Sequence, residues 1–188
     1  MLEQAVARLR QYLAAGLEVP MLAVNLSGNS ICERNFLDFV LTLAEDPAIG
    51  RSLCFEINET AIITSMAQVV FFMQEVRKRG CRFALDDFGT GLSSFHYLKK
   101  LPVDFLKIDG QFVGSLTTDP VDRSMVEAIS KVAGALGIAT IAERVESAEA
   151  LERLTQLGID FVQGFQLARP EPLGDPEVAA GAATPPAG

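Results

Sequence analysis

The chain has 188 residues, of which 49% are hydrophobic and 21% charged, and its formal net charge is -8. The length allows one sizeable core, and the proportions are those of an ordinary globular domain. The negative charge excludes a global basic field that would attract a nucleic acid polymer or an anionic membrane. Three cysteines without a C-x-x-C pair indicate neither a disulfide framework nor a zinc knuckle. No apolar run reaches the ~18 residues of a membrane span and no signal-peptide pattern opens the chain, so we expect a cytoplasmic protein.

Hydrophobic spacing predicts helices and strands that alternate from the N-terminus onward. Leu2, Val6, Leu9 and Leu13 lie on one face of a first helix, which Gly16 is suited to end. Apolar runs predict strands at residues 21–27, 53–59, 81–85, 104–109, 138–143 and 159–164. Further helices are predicted at residues 33–44, 61–79, 93–100, 120–136 and 147–157.

The alternation of strand and helix, at intervals of roughly 25–30 residues, is typical of a parallel sheet or barrel. A closed barrel of this kind has eight strands. The predicted fold is therefore α/β, a TIM-like barrel that is incomplete, with about six of eight strands present. From about Gly174 onward Ala, Gly and Pro dominate, so residues 173–188 are predicted to form a disordered tail.

Polar side chains stand at or near the end of every predicted strand. Each one alone could be a cap or a turn residue, but a Lys or Glu within an apolar strand is costly unless it is paired or binds a metal. Because the carboxyl ends of parallel strands share one mouth, we expect these side chains to converge. They are Asn25, Glu56, Asp86 with Asp87, Lys107 with Asp109, Glu143 and Gln163.

The chemistry of this set points to divalent cations. Carboxylate and amide oxygens dominate, and no suitable His or Cys accompanies them, which favours Mg²⁺ or Mn²⁺ over zinc. The adjacent carboxylates of Asp86 and Asp87 could serve two metal ions at ~3.5–4 Å, the arrangement of many phosphoryl-transfer hydrolases.

Six motifs carry a family resemblance. They are Val24-Asn25-Leu26-Ser27, Phe55-Glu56-Ile57-Asn58-Glu59-Thr60, Leu85-Asp86-Asp87-Phe88-Gly89-Thr90-Gly91, Leu106-Lys107-Ile108-Asp109, Ile141-Ala142-Glu143-Arg144-Val145-Glu146-Ser147, and Gln163-Gly164-Phe165 followed by Arg169-Pro170. In order and spacing the chain resembles EAL-domain cyclic-di-GMP phosphodiesterases over residues 1–172. The resemblance implies a TIM-like barrel with one reversed strand. It also implies hydrolysis of cyclic-di-GMP to linear pGpG with two Mg²⁺ or Mn²⁺ ions.

The resemblance also assigns expected roles to residues. Glu143 is expected to be a further ligand or the base that acts on the attacking water, and Lys107 to orient that water or steady the phosphate charge. Glu59 and Glu146 resemble carboxylates that support the loops around the site. Asp109 and Gln163 resemble groups that support the ligands or bind the substrate. The expected metal ligands are Asn25, Glu56, Asp86 and Asp87.

Two departures from the family pattern stand out. Arg144 lies where the family usually has Gly, so we expect either a different loop conformation or a contact between Arg144 and phosphate. The Glu-Ala-Leu segment that names the family, with its ligand Glu, does not precede Asn25 in this chain, and we expect it to belong upstream of residue 1.

Partners and alternative functions follow from the same resemblance. Residues 87–94 resemble a mobile segment that links the site to dimerisation, so a homodimer or flanking sensor or GGDEF domains are expected. The alternatives to an enzyme are a non-catalytic cyclic-di-GMP receptor and a module that acts through protein contacts at the open edge of the barrel.

Overall fold

Strands and helices alternate along the computed structural model, which describes residues 1–17, 19, 21–89 and 95–171. The strands are β1 (Leu22–Leu26), β2 (Leu53–Asn58), β3 (Arg82–Phe88), β4 (Phe105–Ile108), β5 (Ala139–Ala142) and β6 (Phe161–Val162). The helices are α1 (Leu2–Ala14), α2 (Gly28–Ile31), α3 (Arg34–Leu43), α4 (Pro47–Ser52), α5 (Glu59–Arg77), α6 (Phe95–Leu98), α7 (Gly110–Gly114), α8 (Pro120–Leu136) and α9 (Ala148–Gln156). The predicted tail at 173–188 and residues 90–94 of the predicted mobile segment lie outside the described residues.

The six described strands form one sheet in the order β1 to β6, and every neighbouring pair is parallel. Such sequential parallel pairing requires a crossover after each strand, and the helices supply it. The prediction of an α/β fold with an incomplete TIM-like barrel of six strands is confirmed. The register places Asn25 beside Glu56, and Asn58 beside Asp86.

Alternation along the strands separates two faces of the sheet. One face packs against the helices and forms the main core, which contains Phe55, Phe83 and Leu106, all fully buried. The other face carries a small apolar cluster of Cys54, Ala84, Phe105 and Ile141. The residues two positions further along these strands are Glu56, Asp86, Lys107 and Glu143, so the polar residues continue the same concave face toward the carboxyl ends of the strands.

Local chemistry explains where several elements begin and end. Asp119 caps α8 by accepting a hydrogen bond from the Val121 N–H at 2.7 Å, with Pro120 at the first helical position, as the Asp-Pro pair predicts. Gly137 ends α8 with φ 71°, a conformation that glycine adopts without strain. Helices α2, α4 and α7 were not predicted. For α4 the signal was an identical Asp-Pro pair, Asp46-Pro47, which opens a helix rather than only closing α3.

Strand β3 extends three residues beyond the predicted end at residue 85, so Asp86 and Asp87 lie within the strand rather than after it. Its pairing with β4 shifts register between Leu85 and Phe88. Asp86 still follows the alternation from Ala84, but the irregularity breaks that alternation at Asp87, because an extra residue in one strand reverses the direction of the side chains beyond it.

Candidate active site

Lys107 is the centre of the polar mouth, by which we mean the polar side chains at the carboxyl ends of the strands: Glu56, Asp86, Lys107 and Glu143. Its Nζ lies 2.8 Å from Glu56 Oε2, 2.9 Å from Asp86 Oδ1 and 2.8 Å from Glu143 Oε1. These carboxylates come from β2, β3 and the residue after β5, so one ammonium joins the ends of three other strands. The Lys107 side chain is only 5% exposed. Burial alone would lower the pKa of Lys107, but its hydrogen bonds to Glu143 and Glu56, its close polar contact with Asp86 and the charge of Glu56 raise it, so Lys107 stays cationic.

Asp86, Asp87 and Glu143 form an acidic cluster, in which one carboxylate oxygen from each lies within 4.8 Å of the others. The pKa of Glu143 is raised, first by burial and despite the opposing effect of Lys107. The pKa of Asp87 is raised by burial and then by the negative charges of Asp86 and Asp109. With all of these carboxylates ionised, Lys107 alone does not neutralise the mouth. A buried excess of negative charge is stable only with further cations or protons.

The donor set of this cluster fits divalent cations. Asp86 Oδ1 is buried and, within the described part of the chain, accepts no hydrogen bond of good geometry, although Lys107 Nζ lies 2.9 Å away. A buried carboxylate oxygen with spare accepting capacity, next to two further carboxylates, is the environment that hard cations such as Mg²⁺ and Mn²⁺ prefer. The structure groups Glu143 with Asp86 and Asp87.

Asp87 has φ 55°, a backbone conformation that residues other than glycine rarely adopt. Its Oδ2 accepts a hydrogen bond of 2.5 Å from Asn58 Nδ2. Asp109, which interacts with Asp87, caps α7 by accepting a hydrogen bond from the Gln111 N–H at 2.7 Å. Asn58 was missed by the sequence analysis. The available signal was the spacing Glu56-x-Asn58, which places a second polar residue on the same face of β2.

The remaining predicted residues lie around this centre at different depths. Asn25 is exposed on the concave face of β1, beside Glu56 in register. Gln163 and Glu146 are exposed and line, with Glu143, a concavity of about 330 Å³ at the β5–β6 side of the mouth. Both residues lie outside the ion-paired group around Lys107.

Glu59 is the most deeply buried of the predicted carboxylates, at 3% exposure. It accepts a short hydrogen bond from the hydroxyl of Tyr97 in α6. Burial, and then Glu59, raises the pKa of Tyr97, so the phenol stays protonated as the donor. Glu59 thereby ties α6 to the start of α5, a supporting contact; Tyr97 was not predicted as its partner.

Arg144 adopts φ 52°, so the chain retains a left-handed residue after Glu143 although the side chain is Arg. Its stem packs directly on Gly110: a Cβ built on Gly110 would lie 2.4–2.8 Å from Arg144 Cδ, Cγ and Cβ. Arg144 is exposed and borders the concavity beside Glu143. This places its charge at the rim of the mouth.

Cavity size does not locate the site. A larger concavity of about 380 Å³ lies between α3 and α5, where Leu37, Phe71 and Phe72 dominate its apolar part. It contains none of the residues that contact Lys107. The assignment therefore rests on the carboxylates and the buried ammonium.

None of the described helices has the length and apolarity needed to cross a membrane.

Comparisons with known proteins identify similar sequences. The family model described as EAL domain matches residues 1–170. The cyclic di-GMP phosphodiesterase PdeB of Shewanella oneidensis is 40% identical over 153 residues, which are 81% of this chain and 18% of that protein. The first curated relatives are all much longer, since the chain spans only 18–23% of their length.

Solved structures are similar as well. The PaMucR phosphodiesterase in complex with c-di-GMP superposes with a TM-score of 0.84 at 33% identity, over 92% of this chain and 70% of that one. An S helix-GGDEF-EAL protein, LapD of Vibrio cholerae bound to c-di-GMP, has a TM-score of 0.78 at 30% identity, over 88% of this chain and 41% of that one.

Proposed function

The chain belongs to the EAL domain family, and we propose that its site hydrolyses one phosphodiester bond of cyclic-di-GMP to give linear pGpG with the help of two Mg²⁺ or Mn²⁺ ions. The observation that carries the proposal is the buried Lys107 in contact with three carboxylates, beside the acidic cluster of Asp86, Asp87 and Glu143. The relative and the solved structure named as phosphodiesterases support the choice of substrate.

Asp86, Asp87 and Glu143 would hold the cations, and Glu56 and Asn25, neighbours in register, would complete the ligand set from β2 and β1. Asp86 stands in the middle of this set and would be shared between the two ions. Bound there, divalent cations supply Lewis-acid activation of the attacking water and positive charge for the phosphate. Glu143 acts as a ligand rather than as the base, because its oxygen lies with those of Asp86 and Asp87.

Lys107 provides the fixed positive charge of the reaction. In the hydrolysis, the oxygen of water bonds to phosphorus, the bond from phosphorus to the 3′-oxygen breaks, and a proton from water ends on that 3′-oxygen. Negative charge grows on the phosphate oxygens as this happens, and a preorganised ammonium stabilises it. The surrounding carboxylates raise the pKa of Lys107, so its ammonium acts as a hydrogen-bond donor.

The outer residues would bind and frame the substrate. Gln163 and Glu146 line the concavity beside Glu143, and they would contact the parts of the dinucleotide away from the scissile phosphate. Glu59 and Asp109 would hold the neighbouring segments in place through Tyr97 and the start of α7. Arg144, at the rim, offers a cation to the second phosphate.

The wider setting of the domain is also proposed. The LapD structure combines GGDEF and EAL domains in one chain, which supports flanking domains for this one. The homodimer and the cytoplasmic location predicted from the sequence are consistent with a substrate that is a small soluble nucleotide, and they stay predictions.

A chromatographic time course of cyclic-di-GMP with the purified chain tests the proposal. We expect pGpG to appear in Mn²⁺ and not in EDTA, and Asp86→Asn to abolish it, because the central ligand loses its charge. Asp46→Asn is the matched control: the same change at the cap of α4, where Asn also caps well, should leave the rate unchanged.

Absence of product from a folded chain would contradict the enzymatic proposal. Binding of cyclic-di-GMP without hydrolysis would then support the receptor alternative. Absence of both binding and hydrolysis would leave the module that acts through protein contacts.

A further inference from the structure

Asn58 is the last residue of β2 and the N-cap of α5, next to the acidic cluster. We propose that Asn58 is a positioning residue whose carboxamide fixes the carboxylate of Asp87 in the orientation that binds a divalent cation. The inference rests on the proposed function, since Asp87 matters to the reaction only if the cluster holds cations. It concerns the orientation of a ligand and not the identity of the ligands.

Both ends of the Asn58 amide are used. Oδ1 accepts a hydrogen bond from the Thr60 N–H at 2.9 Å and so caps α5, while Nδ2 donates to Asp87 Oδ2 at 2.5 Å. The cap holds the side chain against the rigid start of a helix, and the donor end holds Asp87. Ser could make the first bond but has no second group to reach Asp87. Asp could make the first bond but would direct an oxygen at the carboxylate.

Asp87 needs such a partner because its backbone does not fix its direction. The residue has φ 55°, and it stands within the register shift between Leu85 and Phe88. The regular alternation of a strand, which aims Glu56 and Lys107 at the mouth, therefore does not apply to it. The negative charges of Asp86 and Asp109 also act on its carboxylate. A neutral N–H donor offsets that repulsion without taking a cation's place.

The hydrogen bond from Asn58 engages Oδ2 of Asp87, and the Asp87 carboxylate also belongs to the acidic cluster with Asp86 and Glu143. Ligand atoms of these three residues lie within 4.8 Å of one another. Groups that orient metal ligands in this way commonly change metal affinity by about 10- to 100-fold when they are removed. Asn58 is accordingly expected to affect the cation and not the fold.

The test is a titration of the full chain with Mn²⁺, in which electron paramagnetic resonance follows free Mn²⁺, together with thermal unfolding in EDTA. Asn58→Ser keeps the cap of α5 and removes the donor to Asp87. We expect Mn²⁺ affinity to fall about 10- to 100-fold while the melting temperature in EDTA stays close to that of the unmodified chain. Asp119→Ser, the same exchange of caps on α8, should change neither quantity.

A second variant keeps the inference testable if Asn58→Ser folds poorly. Asn58→Asp preserves shape and cap but faces Asp87 with an acceptor, so it should lower the melting temperature in EDTA and regain most of the loss in Mn²⁺. Equal Mn²⁺ affinity in Asn58→Ser and the unmodified chain would overturn the inference and leave the proposed function standing. An equal loss of Mn²⁺ affinity in Asp119→Ser would overturn the inference too. Failure of the unmodified chain to bind Mn²⁺ would overturn both proposals.

Discussion

Replacement of Lys107 by Met removes a buried cation and leaves its three carboxylates in place. Met fills a similar volume, so the main change is electrostatic. Glu143, whose pKa burial already raises, loses the cation that lowers it and has to take up a proton to remain buried. Protonating a carboxylate with an ordinary pKa near 4.3 at pH 7 costs about 4 kcal/mol, at 1.36 kcal/mol per pKa unit. This agrees with the roughly 3–5 kcal/mol lost when one partner of a buried ion pair is removed.

Urea unfolding in EDTA at pH 7 and pH 5 measures this loss. In the variant, the folded state binds more protons than the unfolded state, so its stability is present below the unfolded pKa and falls as pH rises through the folded pKa of Glu143. We therefore expect the free energy of unfolding of Lys107→Met to be lower than that of the unmodified chain by about 3–5 kcal/mol at pH 7. The gap should be smaller at pH 5. Mn²⁺ should narrow the gap at pH 7, because bound cations replace the missing charge.

Lys131→Met is the matched control. Lys131 pairs with Glu127 on the surface of α8, with 73% of its side chain exposed, so its replacement should leave the unfolding midpoint unchanged. A cost below about 1 kcal/mol for Lys107→Met, against the 3–5 kcal/mol of a broken buried pair, or an equal cost at both pH values, would refute the electrostatic reasoning.

Three further outcomes can be checked independently. Asp104→Ala should cost about 1–3 kcal/mol in urea unfolding, because Asp104 Oδ2 accepts the Phe83 N–H at 2.8 Å; an unchanged midpoint would contradict this. Gly110→Ala should be destabilising through its clash with Arg144, and Arg144→Gly should remove most of that cost in a double-mutant cycle, whereas additive costs would show that the two residues do not interact. With a thiol reagent at pH 8, the exposed Cys32 should react quickly. Burial raises the pKa of Cys54 to about 12 and that of Cys81 to about 11, so both should react slowly. Rapid reaction of all three would contradict the buried core.

The strands and the face of each strand-end residue were predictable from local rules. A period of two along β4 places Lys107 on the same face as Phe105. The alternation of strand and helix makes successive strands parallel and neighbouring. These rules alone bring Glu56, Lys107 and Glu143 to one mouth. They do so without any knowledge of the helices outside the sheet.

The contacts within the mouth were not predictable in the same way. The grouping of Glu143 with Asp86 and Asp87 depends on sheet twist and on the register shift in β3, both of which are set by packing across the whole sheet. The positive φ of Asp87 has no sequence signal, since Asp is only mildly favoured there. The spacing Glu56-x-Asn58 indicates the face of Asn58 but not its partner Asp87, which is 29 residues away in sequence.

Short helices such as α2 and α7 were missed because each is only about one turn long and has too few residues to show a hydrophobic period. Their N-cap residues could be recognised in the sequence, since Ser27 and Asp109 are both good N-cap residues. Asp109 illustrates the difficulty: its cap role and its proximity to Asp87 use the same carboxylate, and the sequence favours neither reading.

The central claim is that the acidic cluster is a centre for two divalent cations, and Mn²⁺ electron paramagnetic resonance of the loaded chain tests it most directly. We expect two Mn²⁺ ions per chain with the spectral broadening of ions ~3.5–4 Å apart, and loss of that signal in Asp86→Asn. A single, magnetically isolated Mn²⁺ ion, or a spectrum unchanged by Asp86→Asn, would contradict the account.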